Sequence, residues 1–181
     1  VTDAGKAYIF RYNGSTWVEE AILTASDKAS GDAFGCSVSI YGDVAIVGAY
    51  TADPGGVTDA GKAYIFRYNG STWVEEAILT ASDKATYDRF GNPVSIYENV
   101  AIVGAYDADP GGLSSAGKAY IFRYNGSNWV EEAILTASDK AADDWFGYSV
   151  SIYGNVAIVG AYGADPGGVT DAGKAYIFRY N

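Results

Sequence analysis

The string AGKAYIFRYNGS begins at Ala4, again at Ala60 and again at Ala116, so a 56-residue unit runs through all 181 residues. A fixed period of that length restricts the chain to architectures that stack one supersecondary unit on the next, because a unit of this kind does not bury its apolar face alone. Residues 169–181 repeat residues 1–13 letter for letter, as expected of a stretch of a longer array.

Inside residues 57–112 four segments read as strands: KAYIFRY (62–68), TWVEEAILTA (72–81), FGNPVSIY (90–97) and VAIVGAY (100–106). They are rich in β-branched and aromatic residues, and Asn69-Gly70, Glu98-Asn99 and Asp109-Pro110-Gly111-Gly112 punctuate them as turns. No stretch reads as a helix. VAIVGAY is apolar throughout and needs cover on both faces, whereas TWVEEAILTA carries Glu75-Glu76 and must be partly wet. Burial therefore falls from one edge of an antiparallel meander to the other. A β-propeller blade, packed between two neighbours, requires that gradient, and a β-solenoid or stacked meander is the alternative.

The charge and residue inventory narrow the function. Twelve Lys and Arg stand against 22 Asp and Glu, and a formal charge of −10 repels phosphate backbones and anionic lipid, so neither nucleic acid nor a membrane is an expected partner. The longest apolar runs are strand-sized, far below the roughly twenty residues of a spanning helix. There is no His, and the single Cys has no base to activate it, so no nucleophile and base can be assembled and no enzyme is expected. The pairs Glu19-Glu20, Glu75-Glu76 and Glu131-Glu132 are adjacent on a strand and point to opposite faces, which suits a solvated outer strand rather than an acid and base pair. Cys36 occurs in one unit only, which excludes a disulfide within the chain and predicts a small buried residue. Asn13, Asn69 and Asn125 head Asn-Gly-Ser triplets of the glycosylation-acceptor type, which the hairpin turn also explains.

Each unit pairs Phe-Gly with a later Gly-Ala-Tyr: Phe34-Gly35 with Gly48-Ala49-Tyr50, Phe90-Gly91 with Gly104-Ala105-Tyr106, and Phe146-Gly147 with Gly160-Ala161-Tyr162. This resembles the FG-GAP repeat, the blade unit of integrin α-subunit propellers and of bacterial surface proteins, and FGYSVSIYGNVAIVGAY is similar to the bacterial branch. The resemblance implies an all-β chain of four-stranded propeller blades in which Phe-Gly opens the innermost strand, VAIVGAY is second, KAYIFRY third and TWVEEAILTA outermost. On that phasing residues 33–88 and 89–144 are complete blades, 145–181 supply the inner three strands of a split blade, and 1–32 supply the outer strands of another. Many blades of this family carry a calcium loop of the form DxDxDGxxD; here that space holds SIYGDVAIV, SIYENVAIV or SIYGNVAIV, too few carboxylates for six to eight oxygens. Neither a metal nor another cofactor is expected.

The first two units differ at eight of 56 positions and the next pair at eleven, and the changes cluster around Phe-Gly, on the loop entering the innermost strand and on its first turns. That loop carries Tyr87 and Arg89 in one copy and Trp145 and Tyr148 in the next, where sister copies hold Gly31, Ala33 and Cys36. Loops at one end of a propeller carry recognition, and Arg, Trp and Tyr are the usual interface anchors. These four are the candidate ligand-binding residues. The expected function is a non-catalytic extracellular or cell-surface binding or adhesion module for protein or glycan. The alternative is a structural self-assembling repeat protein, a surface layer, filament or engineered fragment, and the partner is then a homo-oligomer or further blades of a longer chain. Pro93 supplies a test of strand order: lacking an N–H, it must sit at a bulge or on the free channel edge of its strand.

Overall fold

A computed structural model describes residues 1–180. Strands β1 (Ala7–Tyr12) and β2 (Trp17–Leu23) form a two-stranded sheet. A first full sheet has the order β3 (Val38–Tyr41), β4 (Val44–Ala49), β5 (Lys62–Tyr68), β6 (Trp73–Leu79), and a second has β7 (Val94–Tyr97), β8 (Val100–Ala105), β9 (Lys118–Tyr124), β10 (Trp129–Leu135). A three-stranded sheet follows, β11 (Phe146–Tyr153), β12 (Val156–Ala161) and β13 (Lys174–Arg179). Every neighbouring pair of strands is antiparallel, and the order in each sheet is the one the sequence predicts. Among the described residues the only helical turns are short 3-10 turns at the Pro-Gly-Gly triplets.

The sheets stack face to face, and the apolar clusters lie between them. Ala7, Ile9 and Leu23 of the two-stranded sheet meet Val47, Tyr64 and Phe66 of the first full sheet, while Ile46 and Ile65 on its other side meet Phe90, Val94 and Val103 of the second. The sheets do not close on one another, so they are consecutive blades of a propeller-type stack. β4 and β8, each with a sheet on both sides, are buried along their whole length. β12 has a sheet on one side only, and its Ile158 is exposed.

Phe-Gly and Gly-Ala-Tyr act across the gap between blades. Phe90 packs edge-on against Tyr120 and Phe122 of its own sheet, and its backbone covers Gly61 of the preceding one, where a Cβ would lie 1.9 Å from the Phe90 carbonyl oxygen. Gly48 likewise faces Gly91, whose carbonyl oxygen would stand 1.7 Å from a Cβ at position 48. In the full sheets Phe-Gly does not itself open the short inner strand but precedes it at a bulge. The Gly104 carbonyl accepts from Gly91 N–H (3.1 Å), while Gly104 N–H donates to the Pro93 carbonyl (2.8 Å). The acceptor that an N–H at position 93 would need is already used, which is why proline is tolerated there.

The inner strands β3, β7 and β11 stand side by side, with the serine hydroxyls of one accepting backbone N–H groups of the next: Val94 to Ser37 (3.0 Å), Ile96 to Ser39 (3.2 Å) and Ile152 to Ser95 (3.3 Å). The Glu pairs are not merely solvated. A bulge shifts the register at Phe66 and Ile65 from Glu75 to Ala77, leaving Glu76 as the extra residue. Glu75 then reaches back to the Ser26 hydroxyl (2.6 Å), and Glu76 takes both the Arg67 guanidinium (2.9 Å) and the indole N–H of Trp129 in the next sheet (3.0 Å). Cys36 also departs from expectation: the residue is exposed, and only its sulfur is set against another blade, 3.6 Å from the Gly91 carbonyl oxygen, where burial pushes the thiol pKa up.

Candidate functional site

Because β4 runs antiparallel to β3, the Tyr that ends each Gly-Ala-Tyr lands beside the variable loop that enters the inner strand. That geometry collects one row of side chains at one end of the stack. The Arg89 guanidinium lies over the Tyr50 ring at 5.8 Å and donates to the Tyr106 hydroxyl at 3.4 Å. Tyr106 meets Tyr148 edge-on at 5.4 Å, Tyr148 stacks on Tyr162 at 5.1 Å, and Tyr162 stacks on Trp145 at 5.8 Å. Three of the four expected residues, Arg89, Trp145 and Tyr148, thus belong to a continuous aromatic row across three blades. Tyr87 is exposed on the same loop and stands outside the row.

Sequence reasoning missed Tyr50, Tyr106, Tyr162 and Asp107, although the antiparallel hairpin places every Gly-Ala-Tyr end next to the loop. Arg89 Nε is 3.0 Å from the Asp107 carboxylate but is not aimed at it, so the contact is an ion pair without hydrogen-bond alignment. Burial pushes the Asp107 carboxyl above its ordinary value despite Arg89. The loop itself is held by Asp88, a buried carboxylate that accepts the Ala85 N–H at 2.7 Å, a hydrogen bond that buried Asp32 and Asp144 repeat in their own copies; burial raises the Asp88 pKa. The backbone is left-handed at Tyr87 (φ 68°), Arg89 (φ 58°) and Trp145 (φ 52°), which for bulky side chains costs on the order of 1 kcal/mol each.

At the opposite end, the inner strands finish in a second row, Tyr41, Tyr97 and Tyr153, with ring centroids 4.6 and 4.5 Å apart. The Tyr41 hydroxyl, and after it that of Tyr153, favours the protonated Tyr97 phenol as a donor and so raises its pKa. In the Pro-Gly-Gly loops one oxygen of Asp53 accepts the Asp59 N–H at 2.8 Å, and Asp109 and Asp165 repeat this, so these carboxylates serve loop closure. No group of three or more metal-ligating side chains occurs among the described residues.

Antiparallel four-stranded units, stacked through glycine contacts and repeated at a constant period, define a propeller-type repeat protein. The description of the FG-GAP repeat matches residues 17–66, 73–122 and 129–178, and the chain belongs to that family. No curated protein matches the chain. Among the described residues no helix is long and apolar enough to cross a membrane.

Proposed function

We propose that this chain is a non-catalytic binding module of the extracellular or cell-surface adhesion type, with the row from Tyr50 to Trp145 as its recognition face for a protein or glycan. The observation that carries this reading is the row itself: rings contributed by three blades, Tyr148 and Tyr162 exposed within it, with Arg89 and Trp145 held on left-handed backbone. Rigid tyrosines and tryptophan give contact area at low entropic cost, and strain retained at an exposed loop is a mark of recognition rather than of packing. The test sets Tyr87→Gly, Arg89→Ala, Trp145→Ala and Tyr148→Asn together in one variant and compares it with the parent on immobilised matrix proteins and polysaccharides. Binding should fall at least tenfold while the melting temperature moves by only a few degrees. Unchanged binding, or a collapse of the melting temperature, would show that the row serves packing alone.

A further inference from the structure

We propose that the groove between the second full sheet and the three-stranded sheet seats Trp17 and strand β2 of a second copy of this chain. The groove is a cavity of about 280 Å³ lined by Val100, Ile121, Arg123, Leu135, Ile152 and Phe178 among others. One repeat earlier, Val44, Ile65, Leu79, Ile96 and Phe122 form the apolar cluster on which Trp129 packs, with its indole N–H donating to Glu76 at 3.0 Å. One repeat earlier again, Trp73 occupies that place and is 8% exposed. Trp17, their counterpart, is 68% exposed, with the Tyr12 ring as its one aromatic partner among the described residues, at 5.7 Å. Among the described residues there is therefore one indole without a socket and one socket without an indole, and the two match residue for residue.

Polar and backbone groups agree with the indole. Glu75 holds Ser26 and Glu131 holds Ser82, whereas Ser138 bonds no carboxylate among the described residues, and Glu19 on β2 is the counterpart of Glu75 and Glu131. β13 is paired on one edge only, by β12. Its sequence is that of β1, whose register on β2 runs from Ala7↔Leu23 to Tyr12↔Trp17, so β13 takes the place of β1 on the incoming β2 with every side-chain pair preserved and residues 1–13 of that copy released. Gly160, the counterpart of Gly48 and Gly104, then faces Gly35 of the second copy. Reciprocal docking gives six blades, within the range of closed propellers.

Sedimentation of the full chain across about 1–300 µM, a range spanning ordinary transient to stable interfaces, reads the association directly. The parent should move as a particle of twice the chain mass at the upper end, and Trp17→Ala should weaken self-association at least about tenfold with an unchanged melt in dilute solution. A ladder of larger particles that Trp17→Ala abolishes also supports the socket. A parent that stays single at every concentration overturns the proposal, as does association that Trp17→Ala leaves intact. Should Trp17→Ala fail to fold, Gly160→Ala decides: its added methyl stands on the open face, and loss of association supports the docking while retention overturns it.

Discussion

Replacing Gly48 or Gly104 by alanine tests whether blades are held at backbone contact. Neither glycine has a left-handed φ, so in open space each change would stabilise the protein by about 0.4–1 kcal/mol through the unfolded chain. The structure reverses that sign. The new methyl would stand 1.7 Å from the Gly91 carbonyl oxygen in one case and 2.2 Å from that of Gly147 in the other, and both obstacles are main chain of the adjoining sheet. Restoring ordinary contact parts the sheets by about 1–2 Å, and a gap of about half that already forfeits a quarter to a half of the dispersion well for each atom pair across it. Over-packing typically costs about 1–3 kcal/mol, and a rigid obstacle places these variants at or above the top of that range. Gly160 is the internal control, because its methyl would meet only the Ser149 hydroxyl, at 2.3 Å, and that side chain can rotate. Denaturant unfolding in dilute solution, read as midpoints at constant slope, should place Gly160→Ala within about 1 kcal/mol of the parent and the other two at least about 3 kcal/mol below it. A Gly48→Ala midpoint indistinguishable from that of Gly160→Ala would refute the contact between Phe-Gly and Gly-Ala-Tyr as the determinant of blade spacing.

Acid should act through the carboxyls that bridge sheets. Hydrogen bonds from Lys174 and then Tyr176 lower the Asp139 pKa to about 2, and at Asp27 and Asp83 burial pushes upward but the Lys and Tyr donors outweigh it. Their folded pKa values lie below the ordinary 3.8, so the stability they confer is present above about pH 4 and is lost as pH falls toward 2. Asp83→Asn should therefore cost about 1 kcal/mol at pH 7 after allowance for exposure, with the gap to the parent closing as the pH falls below about 4; a gap that stays constant contradicts the assignment. Calcium should make no difference: thermal melts in chelator and in millimolar calcium should coincide, and a rise of several degrees with calcium would reveal a site the carboxylate count does not allow.

Strand identity, order and the burial gradient were legible because each rests on local chemistry repeated three times. The acidic pair within TWVEEAILTA, the unbroken apolar run of VAIVGAY and the Asn-Gly turns specify a meander without reference to anything distant. What was not legible depends on the next blade. Glu76 looks like a solvated charge until the bulge turns it toward Trp129, and Asp88 looks like loop polarity until the loop folds over it. Cys36 was misjudged for a related reason: position 36 lies on the inner edge, where the neighbouring blade covers the sulfur but not the rest of the residue. The candidate face was half visible. Divergence among copies marked Arg89, Trp145 and Tyr148, but the invariant tyrosines they stack on carry no such signal, and only strand pairing places them in the row.

The contacts from Ser26 to Glu75 and from Ser82 to Glu131 are the same contact made twice, 2.6 Å each, and the clusters between sheets repeat in the same way. A seam built of identical parts does not record which blade lies on either side of it. Loss or duplication of one unit in the gene, 56 codons or 168 nucleotides, joins the flanking blades through a seam that already packs. Copy number can therefore drift by recombination without the folding penalty that an arbitrary deletion carries, and the loop before Phe-Gly is free to diversify while the seams stay fixed.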